Sequence, residues 1–470
     1  MIKPVILWTD ALLFLLIAAV LAFAWYARGR EHLRAPWARV LESRLAVVSL
    51  VVLSAYVMVA LLDSLHFRPA LEQRGEQAQE TYYSVEVLSV LDIIARPLKE
   101  NVEKTYSAPF ATRLYAREAM EGPGGVTVWD YPRLRHGGAH LDDPDAGRLA
   151  DIVRRALGGV AAGGALWLLL AAMLVFAVAR ARSEGFVSTL TQVAAGRTRI
   201  PWRAGLLTAG VLIMLIAATA SFAGAYHVLG TDQVGQDVFY QAIKSIRTAL
   251  VIGTLTTLVM LPFAMLLGIM AGYLRGWIDD LIQYLYTTLN SIPGVLLIAS
   301  AILMLQVYID THPELFQTDA ERADLRLLFL CLILGVTSWT GLCRLLRGEA
   351  LKLREVEYVQ AAVAFGVTRL RIMTRHLLPN VMHIVLITVV LDFSGLVLAE
   401  AVLSYVGVGV DPSTDSWGNM INGARLEMAR EPVVWWSLAA AFMFMFALVL
   451  AANLFSDAVR DAFDPRLRGG

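Results

Sequence analysis

The sequence predicts an all-α polytopic membrane protein, and two observations carry that expectation. First, the 470-residue chain is 57% hydrophobic and only 17% charged, with a mean hydropathy of +0.59. A water-covered surface needs more charge than this, so the apolar excess must face something other than water. Second, several uninterrupted apolar runs reach the ~20 residues that cross a bilayer as a helix.

Nine such runs are expected, near 5–26, 45–62, 157–179, 205–225, 247–272, 283–308, 326–345, 380–403 and 433–455. The first is no secretory signal: only Lys3 precedes it, and Arg28, Arg30, Arg34, Arg39 and Arg44 follow. Signal peptides carry the reverse charge order. Positive loops stay in the cytoplasm, so the N-terminus is expected outside. Arg180, Arg182, Arg197, Arg199 and Arg203 place the next short loop inside, as do the basic stretch 346–379 and the tail from Arg460 to Arg468. Nine spans from an external start end inside, which agrees with those charges.

Residues 63–156 are the one sizeable polar segment, and this topology puts them outside. Gly122-Pro123-Gly124-Gly125 signals a turn, and 126–131 reads as a short strand. Too few apolar residues are present for a robust core, so a modest cap packed on the membrane part, or a loop, is expected. The net charge of +0 points to no nucleic acid. Cys331 and Cys343 lie twelve residues apart on one expected helix. At 1.5 Å per residue that separates them by ~18 Å, beyond disulfide reach.

Four stretches then stand out. Leu229-Gly230-Thr231-Asp232-Gln233-Val234-Gly235-Gln236-Asp237 follows a span directly. Tyr358-Val-Gln360-Ala361-Ala362-Val-Ala-Phe-Gly366 is followed by Arg375-His376-Leu-Leu-Pro379-Asn380. Leu403 to Gly409 precedes Ser416-Trp-Gly418, and the last stretch runs from Asn453 to Arg466. In this order they resemble the permease subunits of dipeptide, oligopeptide and nickel ABC importers, over the chain from about residue 205 onward. The first is similar to that family's extracytoplasmic LGTDxLGRD signature, with Gln236 where Arg is usual. The second is similar to the cytoplasmic EAA loop, with Gln360 in place of Glu and His376 in place of Ile.

Elementary chemistry supports the same role for the second stretch. A partly polar helix is expected over 349–365. Ala361, Ala362 and Gly366 lack side-chain bulk, so a neighbouring backbone can approach closely. Gly366 can take φ > 0 and reverse the chain. Pro379 is expected to start the following span, where its missing N–H costs little.

The resemblance implies a type I six-helix permease domain over 205–470, with its coupling loop at 346–379. Two extra helices (1–62), the extracytoplasmic segment (63–156) and a third extra helix with its loop (157–204) precede it. It also implies alternating access driven by two separate ATPase subunits, which bind ATP and Mg. The remaining implied partners are a second homologous permease, an extracytoplasmic binding protein and membrane lipid, and the implied location is the bacterial inner membrane. Tyr358, Gln360, Ala361, Ala362, Gly366, His376 and Pro379 are the expected ATPase-coupling residues. Gly230, Thr231, Asp232, Gly235 and Asp237 form the periplasmic motif.

No cofactor is expected on this chain: no Gly is followed by Lys, so a phosphate-cradling P-loop is missing. There is no Ser/His/Asp order, HExxH spacing or cysteine cluster, and no enzyme activity is expected. Asp392 and Glu400, eight residues apart in the eighth span, are candidates for the substrate path, because intramembrane acids usually face a cavity or a partner. The alternative for Asp392 is a bond to a neighbouring helix, and for Glu400 a place near the outer boundary. Lys244 and Arg247 read as helix-end anchors or as part of a docking surface. Pro262 and Pro293 can kink their helices. His136 and His140 have the spacing of two ligands but loop-like surroundings, and no metal site is assigned. Two other classes compete. An ion-coupled transporter would need inverted repeats and a midplane ion site, and no convincing repeat is visible. A scaffold or receptor would use the external segment for binding.

Overall fold

Backbone groups in hydrocarbon have no water to bond, so apolar runs of this length resolve into helices. The structure, a computed structural model, describes residues 2–29, 31–70, 83–121, 127–143, 147–316 and 318–463. Among the described residues nine helices are long and apolar enough to cross a membrane. In order they are Trp8–Arg28, Arg44–Asp63, Arg148–Arg182, Trp202–Phe222, Val238–Leu274, Gly294–Thr311, Asp319–Arg354, Arg369–Tyr405 and Trp436–Phe463. The fifth and seventh spans have 37 and 36 residues. At 1.5 Å per residue each reaches ~55 Å, so both project well beyond the ~30 Å hydrocarbon core.

One expected run is two helices. The stretch 283–308 breaks at Ile292–Pro293 into Trp277–Ser291 and the sixth span. Ile292 is extended (φ −89°, ψ 130°), because a proline crowds the residue before it out of the helical region. Pro262 instead lies inside the unbroken fifth span.

The fifth and seventh spans pack against each other, with small residues at the seam: Gly268 and Gly272 face Cys343, Leu346 and Ala350, and Gly335 faces Val259. Both cysteines are buried and free, as packing residues. The fourth span packs on the third and second; the second packs on the fifth and ninth, joining the front of the chain to the rest.

The polar segment is a cap. Strand β1 (Ile2–Val5) pairs antiparallel with β2 (His66–Pro69), which pairs with β3 (Leu88–Ser89). A separate hairpin joins β4 (Glu118–Glu121) to β5 (Thr127–Asp130), the strand expected over 126–131. Its Gly122–Gly125 turn lies outside the described residues, as does the tail from 464. The cap's apolar residues pack mainly on the spans: Tyr106 and Tyr115 cluster with Val238 and Trp436, and Phe110 with Phe222 and Tyr226. His140 Nε2 lies 2.7 Å from Asp151, while the backbone of His136 donates to Glu103.

Candidate functional site

The expected coupling helix over 349–365 is interrupted. The seventh span ends at Arg354, the chain turns at Glu355–Val356, and a separate helix runs Glu357–Ala364. This short helix has two unlike faces. Val359 and Ala362 are buried in the apolar cluster of the fifth and seventh spans, together with Ile372 and Leu377. On the other face Tyr358, Gln360, Ala361 and Val363 are exposed, followed by Phe365 at 88% and Leu370 at 67% exposure. Gly366 has φ +76°, where a Cβ would clash with its own backbone, and this residue turns the chain back towards the membrane.

Pro379 stands in the first turn of the helix Leu378–Tyr405, as expected, but the span as a whole starts earlier. The eighth helix already begins at Arg369, and a π-helical turn at Met373–Leu377 precedes the proline. There the Leu378 N–H bonds Met373 O. The wider turn accommodates a residue that has no N–H to give and whose ring crowds the carbonyl four residues back. Asn380 locks the elbow: its amide donates to the Tyr358 hydroxyl at 3.0 Å and to the His376 carbonyl at 2.6 Å. The His376 ring lies 6.3 Å from that of Tyr358.

Two ion pairs that sequence reasoning missed brace this region. Arg347 holds Asp279 with two bonds of 2.6 and 2.8 Å, and Arg275 reaches Glu355 at 3.2 Å. The Arg347 hydrogen bonds hold the Asp279 carboxyl below its usual range.

At the opposite end of the fifth span lies the 229–237 motif, folded as a closed turn. Asp237 caps the fifth span by accepting from Tyr240 N–H at 3.1 Å, and Gly230 O accepts from Val238 N–H. Asp232 accepts from the N–H groups of Val234 and Gln236, both at 2.9 Å. The cap presses directly on this turn. Gly235 has φ +79°, and a Cβ there would collide with the Glu103 carbonyl, so a side chain enters only if that backbone moves. Thr231 is buried, donates to Thr105 O and accepts from Ser107 N–H.

Beneath it Glu103 accepts three backbone bonds, from Arg135, His136 and Gly137. His227 stands between Asp237 (2.8 Å) and Glu103 (3.5 Å). Burial opposes charge on both groups but is outweighed: His227 and three backbone N–H groups favour the Glu103 carboxylate, and Asp237, then Glu103, favour the charged His227 ring. Glu103 is held down to about 2 and His227 is pushed up to about 9.

The two acids of the eighth span are not brought together. Glu400 is 2% exposed, accepts from the Ser404 hydroxyl at 2.7 Å and lies against Gly418. Asp392 instead lines a cavity of about 790 Å³ between the fifth, seventh and eighth spans, with Ser338, Arg344 and Thr388.

Lys244 and Arg247 are neither exposed anchors nor a docking surface. Both are turned inward to the front part of the chain. Lys244 Nζ lies 2.6 Å from Asp63 and 2.9 Å from Asp92; Arg247 binds Asp10. Burial raises the Asp92 carboxyl, but Lys244 together with hydrogen bonds from Ser89 N–H and the Tyr240 hydroxyl holds the group down to about 2. Asp10, an acid inside an apolar run, is the sequence signal for this node. Among the described residues no group of three or more His, Cys, Asp or Glu side chains is placed to hold a metal ion.

Comparison with known proteins decides the family. The model of the binding-protein-dependent transport system inner membrane component matches residues 264–469. The oligopeptide transport system permease protein OppC of Mycobacterium bovis is 31% identical over 245 residues, 52% of this chain and 78% of that protein. This chain belongs to the dipeptide and oligopeptide family of ABC importer permeases. The permease is similar as well to the dipeptide permease protein DppC of Bacillus subtilis, 29% identical over 244 residues, covering 52% of this chain and 70% of that protein. The glutathione transport system permease protein GsiD of Pectobacterium atrosepticum is 27% identical over 319 residues, 61% of this chain and 98% of that protein. The permease is a membrane subunit of a binding-protein-dependent importer. The family match spans the elbow and the Asp392 cavity's eighth-span wall, and begins after Lys244 and Arg247.

Proposed function

We propose that the permease imports peptides or related small solutes by alternating access, and that the elbow at 357–379 carries the stroke of a separate ATPase pair into the spans. One observation carries this reading. The elbow is keyed on one face into the spans' apolar core through Val359 and Ala362, and its other face offers Phe365 and Leu370 to a partner. A push on the exposed face moves residues already packed against the fifth, seventh and eighth spans. Close packing transmits displacement instead of absorbing it.

In this reading the elbow side is cytoplasmic, the cap is external, and a second permease closes the open side of the Asp392 cavity. Asp392 and Arg344 place opposite charges on its wall, a pairing that suits a solute with an ammonium and a carboxylate. ATP and Mg belong to the partner ATPases, and cargo arrives on an external binding protein. Two packings of the same spans, each biased by a partner at one face, suffice for transport.

The test is co-purification from membranes. The native chain brings an ATPase with it, whereas Phe365→Asp with Leu370→Asp releases the ATPase while the chain stays in the membrane at normal abundance. An ATPase still bound to that variant would remove the elbow from the coupling path.

A further inference from the structure

On the elbow side, a groove of about 640 Å³ runs between the first span, the helix Glu31–Val40 and the strip before the fourth span. Its sidedness follows from contacts. Thr9 at the start of the first span donates to Asp324 at the start of the seventh, and the two spans pack together. They therefore run parallel, and Arg28 ends on the same side as Arg354.

The groove has two chemistries. Val20, Phe23, Trp37 and Leu41 make an apolar trough, while Arg28, Arg34 and Arg199 stand along it with Glu42 as the lone acid. Glu42 is taken by Arg199 at 2.7 Å. Arg28 and Arg34 have no ion-pair or hydrogen-bond partner among the described residues. Trp37 is set edge-on to Phe463 of the ninth span, which fixes one wall. Unpaired guanidiniums over an apolar trough at a membrane boundary complement a phosphate head with a hydrocarbon tail. A soluble anion would leave the trough unfilled, and a zwitterionic lipid would leave the guanidiniums without net compensation.

We propose that this groove binds one anionic phospholipid of the leaflet on the elbow side. The phosphate lies between Arg28 and Arg34, within reach of Arg199, and an acyl chain lies along Val20, Phe23 and Leu41. The bound lipid would staple the first span to the Glu31–Val40 helix, and so tie the front of the chain to the ninth span's end.

Native mass spectrometry of the full chain in detergent tests this, with phosphatidylglycerol, phosphatidylcholine of the same chains, or inorganic phosphate added. The native chain should retain phosphatidylglycerol about thirtyfold better than phosphatidylcholine, an effect of the size expected for two basic groups at a lipid head. Arg28→Gln with Arg34→Gln should bring the preference below about twofold. Glu42→Gln, which frees Arg199, should raise it, so the test stands even where the double variant folds poorly. Equal retention of the two lipids by the native chain, an unchanged preference in both variants, or displacement of the lipid by millimolar phosphate would each overturn the assignment.

Discussion

Arg247 Nη2 lies 2.6 Å from Asp10 Oδ1, joining the fifth span to the first across 237 positions of sequence. Its Nε donates to the same oxygen at 3.1 Å, and His66 sits 2.8 Å from the other. Thr9 donates through its N–H and its hydroxyl to Asp324 of the seventh span. A short buried network thus fastens the added front of the chain to the transporting spans, on the side away from the elbow.

Breaking one partner of that network leaves a buried charge without compensation. Asp10→Ala should destabilise the folded chain by about 3 kcal/mol, the usual cost of such a break. Asp10→Leu with Arg247→Met, which removes both charges and keeps the volume, should recover most of that loss. Melting of the three proteins in detergent checks this; equal melting of native and Asp10→Ala chains would show that the pair fastens nothing.

The turn at Gly366 gives a second expectation. A side chain at φ +76° costs about 1–2 kcal/mol, more for a β-branched residue. Gly366→Val should therefore redirect the chain after the short helix and abolish uptake while the protein still reaches the membrane. Uptake measured at matched abundance decides it, and normal transport by the variant would separate this turn from coupling.

The buried cluster of Asp237, His227 and Glu103 sets a pH window. His227 is raised from 6.5 to about 9, so its contribution is complete below pH 6.5 and is lost as pH rises through 9. Glu103 is lowered from 4.5 to about 2, so its contribution is complete above pH 4.5 and is lost as pH falls through 2. The cap should grip the 229–237 turn most firmly between pH 4.5 and 6.5. Hydrogen exchange of the 103–138 backbone should quicken from pH 6.5 to 9 beyond its intrinsic pH dependence, and His227→Gln should abolish that excess.

Asp392 should matter to transport and little to folding. It lines the cavity and makes no hydrogen bond among the described residues, whereas Glu400 is bonded and fully packed. Asp392→Asn is expected to cut uptake without lowering abundance, and Glu400→Gln to lower abundance first. The reverse pattern would exchange their roles.

What could be read in the sequence follows from how local each cause is. Nine apolar runs announce nine spans because hydrophobic length is a local property, and Gly366 announces a turn because only its own backbone is involved. The break before Pro293 was half legible: a proline was visible, but a kink and a full break differ only in what the neighbouring helices tolerate. The π-turn before Pro379 depends on Leu377 and Ile372 staying buried while the helix widens, which no local pattern encodes. Least legible were the roles of Lys244 and Arg247. Their partners Asp63, Asp92 and Asp10 lie more than 150 positions away, and pairing across that distance is settled only by packing.

The most direct measurement is cysteine crosslinking in intact cells from Ala361, on the exposed face of the short helix, and from Ala362, on its buried face. The account predicts that Ala361→Cys captures an ATPase subunit and that Ala362→Cys does so far more weakly. If neither position ever reaches an ATPase, or if Ala361→Cys reacts with reagents confined to the cell exterior, the elbow is not the element that couples ATP hydrolysis to transport.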